Sequence, residues 1–157
     1  MNKVYIAFLW HNHQPDYYDP ITQKYIMPWV RLHCQKAYLD MISLINEFPN
    51  LKCTFNLTPV LLKQMQDYIK QGISIPDIYL QHSLKRASEL TESERIFIAK
   101  NFFKANQENM INSYTRYKEL LKIRNASATQ GFINVVKKFS TQDFLDLQVW
   151  FNLAWLG

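Results

Sequence analysis

The chain has 157 residues, 48% hydrophobic and 15% aromatic, which is enough apolar material for a packed core and too much for a disordered segment. Its net charge of +5, from 18 Lys and Arg against 13 Asp and Glu, is spread along the sequence without a nucleic-acid-binding motif, so no nucleic-acid partner is expected. No apolar run approaches the roughly 20 residues that cross a bilayer, so no membrane partner is expected either.

Val4 to Trp10 is an almost continuous apolar run rich in β-branched and aromatic residues, as in a strand covered on both faces within a parallel sheet. It ends in His11-Asn12-His13-Gln14 with no small-residue cleavage site, so it does not read as a signal peptide. Cys34 and Cys53 lack the spacing of a disulfide framework or a zinc knuckle, and a reduced, cytoplasmic setting is expected. From His11 to His33 no periodicity is visible. Pro15, Pro20 and Pro28 punctuate a stretch that holds Tyr17, Tyr18, Asp19, Tyr25 and Trp29, which suggests a functional loop.

Tyr38, Met41, Ile42 and Ile45 recur at helical spacing, and Pro49-Asn50 closes that helix. In Leu51 to Leu57 apolar and polar residues alternate, predicting a second strand. Thr58-Pro59 then starts a helix whose apolar positions are Leu62, Met65 and Ile69 and whose stop is Gly72. Strand, loop, helix, strand, helix is the opening of a βαβ architecture.

The rest of the chain is helical in pattern. Thr91-Glu92-Ser93-Glu94 and Ser140-Thr141-Gln142-Asp143 form capping sequences ahead of apolar runs. Arg116 to Arg124 reads as a solvated helix face. The final helix carries Phe144, Leu145, Leu147, Val149, Trp150, Phe151, Leu153 and Trp155, apolar nearly all round, so burial on several sides is expected. In isolation its Trp150, Phe151 and Trp155 are expected to form a sticky surface.

The sharpest chemical signal is His11-Asn12-His13-Gln14-Pro15 at the end of the first strand. Residues two apart share a strand face, so His11 and His13 point the same way at the carboxyl end of a sheet, where α/β folds place ligands. Three readings stand. Imidazole and amide groups can hydrogen-bond sugar hydroxyls while aromatic faces cover the ring. An H-x-H pair can begin a metal-dependent hydrolase site, although only His33 and His82 remain as further histidines. The pair can also simply cap a strand.

Four blocks in order, His11 to Pro15, Met27 to His33, Thr54 to Pro59 and Leu147 to Trp155, resemble the landmarks of glycoside hydrolase family 57. The resemblance covers essentially the whole chain, read as residues 1–157 of a partial catalytic domain. It implies the N-terminal portion of an incomplete (β/α)7 barrel, two early parallel strands followed by a largely helical region. The implied activity is retaining cleavage or transfer on α-glucans, of α-amylase or 4-α-glucanotransferase type, with an α-glucan as partner and no cofactor. By match to the family, His13 lies at the sugar subsite beside the cleaved bond, and His11, Gln14, Trp29, Arg31, His33 and Asn56 belong to the substrate pocket. For Trp29 core packing is the alternative, and for Arg31 a structural ion pair.

Retaining hydrolysis needs two carboxylates about 5 Å apart. In this family a nucleophilic Glu and an acid/base Asp follow the last block, so they are expected beyond Gly157 and the chain alone is expected to be inactive. Asp16 and Asp19, beside Pro20, read as turn formers. A free-standing carbohydrate-binding module is the alternative function.

Overall fold

The computed structural model describes residues 3–129 and 131–156. Contacts divide the chain into two compact units, Met1–Ile78 and Tyr79–Gly157.

The first unit runs β1 (Leu9–Asn12), β2 (Tyr18–Asp19), β3 (Lys24–Tyr25), α1 (Trp29–His33), a π-helical turn (Cys34–Tyr38), α2 (Leu39–Asn46), β4 (Thr54–Leu57) and α3 (Pro59–Gln71). β1 and β4 pair in parallel, from Leu9 opposite Thr54 to Asn12 opposite Leu57, so the βαβ opening is present. β2 and β3 form a small antiparallel hairpin inside the stretch without visible periodicity; strands of two residues are too short to leave a period.

The first strand differs from expectation. It starts at Leu9, and Val4 and Tyr5 are 85% and 86% exposed. Strand pairing requires a neighbour, and opposite residues before Leu9 the chain is still turning out of α2, with Leu51 N donating to Phe48 O. The run therefore keeps its apolar character while Val4, Tyr5 and Ile6 stay 78–86% exposed and Phe8 53% exposed.

α3 begins and ends as the sequence indicates. Thr58 is extended, Pro59 occupies the first helical position, and Gly72 at φ 55° supplies the left-handed residue that ends the helix. Its buried face is displaced from the one expected: Leu61 and Gln64 are fully buried, whereas Leu62 is 40% and Ile69 79% exposed. A stripe traced from apolar residues alone cannot register a buried amide. Around it Tyr25, Val30, Leu32 and Ile75 complete the core of this unit.

The second unit is helical: α4 (Ile78–Leu84, its first residue in the preceding unit), α5 (Glu92–Asn101), α6 (Thr115–Ala128), α7 (Phe132–Lys138) and α8 (Thr141–Leu153). Both capping boxes form. Glu94 N donates to Thr91 Oγ1 while Thr91 N donates to Glu94 Oε2, and Asp143 and Ser140 do the same. The core stacks Phe102 on Phe151 at 4.4 Å and Tyr79 on each at 5.9 Å between ring centroids.

Two expectations are corrected here. Arg116 and Arg124 are not simply solvated: Arg116 pairs with both Asp143 and Asp146, and Arg124 lies over the rings of Phe103 and Phe132 while donating to Ala99 O. Long side chains of this kind bury their stems on apolar neighbours. α8 is not buried all round either. Phe144, Leu147 and Phe151 are fully buried, but Leu145, Val149 and Leu153 form an exposed stripe at 43–44%. Phe151 therefore belongs to the core, not to the exposed surface, and Trp150 is half-buried against Tyr114.

Candidate functional site

His11 is the third residue of β1, opposite Asn56 in β4. Register partners in a parallel pair present their side chains to one face, and Asn56 Nδ2 lies 2.9 Å from His11 Nδ1. An amide nitrogen can only donate, so Nδ1 accepts and the neutral ring carries its proton on Nε2. His13 follows two residues on, its ring nearly parallel to that of His11, with centroids 6.1 Å apart and 8° between planes. Both imidazoles are exposed at the carboxyl end of the parallel pair.

Gln14 is held between two phenols. Tyr17 Oη donates to Gln14 Oε1 at 2.8 Å, and Gln14 Nε2 donates to Tyr38 Oη at 3.1 Å. Burial, and the neighbouring Tyr38, push the Tyr17 phenol above its ordinary pKa. Tyr38 lies 6.2 Å from the ring of His33, which in turn lies 6.5 Å from Trp29. Burial lowers the pKa of His33, favouring its neutral form.

The loop that carries these groups is fixed from beneath by Gln64. Its Oε1 accepts from Tyr17 N at 3.0 Å and its Nε2 donates to Pro15 O at 2.9 Å and to Val60 O at 3.2 Å. The side chain is fully buried, and its three bonds offset the cost of burying an amide.

Arg31 turns elsewhere. Its Nε lies 3.3 Å from Oδ2 of the fully buried Asp77, which also accepts from Tyr68 Oη at 2.9 Å. That is the structural ion pair left open in the sequence. Asp16 Oδ1 accepts from Tyr18 N, and Asp19 accepts from Ile21 N and from the Thr22 hydroxyl. Both are turn arrangements, and the Thr22 bond is the main cause holding the Asp19 carboxyl below its ordinary range.

The sequence thus brings His11, His13 and Asn56 into one group, and Gln14, His33 and Trp29 into a second that adjoins it through the His13–Gln14 peptide. It missed Tyr38, assigned to the helix core by its spacing to Met41, Ile42 and Ile45, and Gln64, hidden among apolar positions. Among the described residues no group of three or more His, Cys, Asp or Glu is arranged to hold a metal ion, and no helix is long and apolar enough to cross a membrane.

Comparison with family profiles matches residues 7–157 to glycosyl hydrolase family 57. The chain belongs to glycosyl hydrolase family 57. Comparisons with curated proteins and with solved structures returned no match. Membership of family 57 makes this chain part of the glycoside hydrolases and transglycosylases, with a carbohydrate as substrate. The family match spans both units and includes all seven candidate pocket residues.

Proposed function

We infer that this chain forms the sugar-holding part of a retaining family 57 enzyme acting on α-glucans, in a cytoplasmic setting, with β1 and β4 as early strands of an incomplete (β/α)7 barrel. The observation that carries the reading is the pinned imidazole: Asn56 fixes His11 with Nε2–H as its free donor, beside the parallel ring of His13. A donor of fixed direction next to ring faces suits a hydroxylated, partly apolar ligand such as a pyranose.

His13 stands beside the bond to be cleaved, where its contacts act mainly in the transition state. Gln14, Trp29, His33 and Asn56 shape the pocket, and Arg31 braces α1 through Asp77. The resemblance to the family's motifs implies that the nucleophilic Glu and acid/base Asp of retaining chemistry come from outside residues 1–157, and Asp16 and Asp19 are engaged in turns.

Titration of the chain with maltooligosaccharides, followed by calorimetry, tests this reading. Saturable binding that His13→Ala weakens, with no release of reducing ends from soluble starch, is the expected result. Absence of binding would overturn the sugar-holding assignment, and starch hydrolysis that disappears in His13→Ala would overturn the placement of the carboxylates.

A further inference from the structure

We propose that Tyr38 is a ligand-contacting residue of the same pocket, its phenolic O–H donating to a sugar hydroxyl, and that the π-helical turn Cys34–Tyr38 is what delivers it there. The inference rests on the carbohydrate reading above and adds to it a residue whose spacing in the sequence assigns it to the helix core.

The first support is the course of the helix. In a regular helix, with about 3.6 residues per turn, Tyr38 would stand about 140° round from His33 and side by side with the apolar positions Met41, Ile42 and Ile45. The segment Cys34–Tyr38 is π-helical, and its i→i+5 bonding sets residues five apart over one another. Tyr38 consequently comes over His33, with ring centroids 6.2 Å apart, and His33 lies over Trp29 four residues earlier. Trp29, His33 and Tyr38 form one aromatic ladder along one side of the helix. Single π turns are costly in hydrogen-bond geometry and are frequent at functional sites.

Hydrogen-bond accounting supplies the second support. Tyr38 Oη accepts from Gln14 Nε2 at 3.1 Å, and that amide is oriented in turn by Tyr17, whose O–H donates to Gln14 Oε1 at 2.8 Å. A phenol has one proton to donate. In Tyr17 it is used on Gln14. In Tyr38 the Gln14 bond uses a lone pair, so the proton is left for another acceptor. Tyr38 is half-buried and lies next to the half-buried His33 ring, and a hydroxyl with a proton to donate matches the acceptor oxygens of a sugar.

The test uses the whole chain with maltotriose and a set of its monodeoxy analogues. In the unaltered chain one deoxy position should bind at least about fivefold more weakly than maltotriose itself, the loss of one hydrogen bond. In Tyr38→Phe, which keeps the ring and its packing, maltotriose should weaken by a similar factor, and the penalty for that one deoxy position should vanish. A structural role would instead lower affinity for every analogue by the same factor, and that outcome overturns the inference. Binding that His13→Ala weakens and Tyr38→Phe leaves unchanged overturns Tyr38 alone. No binding of any maltooligosaccharide by the unaltered chain overturns both this inference and the reading on which it rests.

Discussion

Asn56 Nδ2 and His11 Nδ1 are 2.9 Å apart across the parallel β1–β4 pair, so a residue in the second strand of the βαβ unit sets the tautomer of one in the first. Asn56→Asp reverses the demand, because a carboxylate can only accept and calls for a proton on Nδ1. The ring nitrogen signals of His11 in a long-range ¹⁵N–¹H spectrum should move from the Nε2–H pattern to that of an Nδ1–H or doubly protonated ring. Maltooligosaccharide affinity should fall about fivefold or more. Stability should change little, since both residues are exposed.

Gln64 makes a different kind of contribution. Gln64→Leu keeps the volume but leaves the part-buried Tyr17 N and Pro15 O without their partner, at about 1–2 kcal/mol for each. Urea denaturation should show a loss of about 2–4 kcal/mol, and glucan binding should weaken in the surviving folded fraction because His13 and Gln14 ride on that loop. Unchanged stability would mean that the loop does not depend on this amide.

His33 gives the first unit a pH dependence of definite sign. Burial holds its folded pKa below the 6.5 of a free imidazole, so the unfolded chain binds its proton first. The contribution is full above 6.5 and is lost as pH falls from there through the folded value. The urea midpoint should therefore drop on acidification in that window, and His33→Gln should flatten the drop.

In the second unit Ser140→Ala removes a cap that accepts from Asp143 N and releases Asp143, which also meets Arg116. A loss of about 1 kcal/mol is expected, read as a lower thermal midpoint. Arg116→Ala should not add fully to it, because the two changes share Asp143.

Features with local causes were legible in the sequence. Pro59 and Gly72 bound α3 through backbone restrictions that belong to those residues alone, and Thr91-Glu94 and Ser140-Asp143 form caps within four residues. The alternation of Leu51 to Leu57 and the apolar run before His11 were enough to anticipate a parallel pair. What escaped notice depends on partners far along the chain. Val4 to Phe8 has the composition of a buried strand, but pairing begins only where Thr54 meets Leu9. Gln64 is buried because Pro15 and Tyr17 need it, forty-odd positions away. Tyr38 fits the apolar period of α2 numerically, and only a change of helical pitch takes it out of that series.

Leu145, Val149 and Leu153 should make the chain bind hydrophobic dyes or self-associate, since a row of half-exposed aliphatics on one helix face favours association. Changing all three to Gln should reduce dye fluorescence and sharpen the sedimentation boundary, whereas Trp150→Gln should chiefly disturb packing against Tyr114.

The π turn also acts as a phase shifter between α1 and α2. One residue more than a regular turn is absorbed there, so every position from Leu39 onward is rotated by about 100° relative to an uninterrupted helix. Met41 and Ile45 line an apolar groove with Phe8 and Trp10, on the face of β1 opposite His11. Removing a single residue from Cys34–Ala37 and restoring regular pitch would carry those two side chains off the groove. The rotational setting of α2 over the strand pair is therefore encoded in the length of this short segment, and point substitutions that preserve hydrophobicity along α2 could not compensate for a change in it.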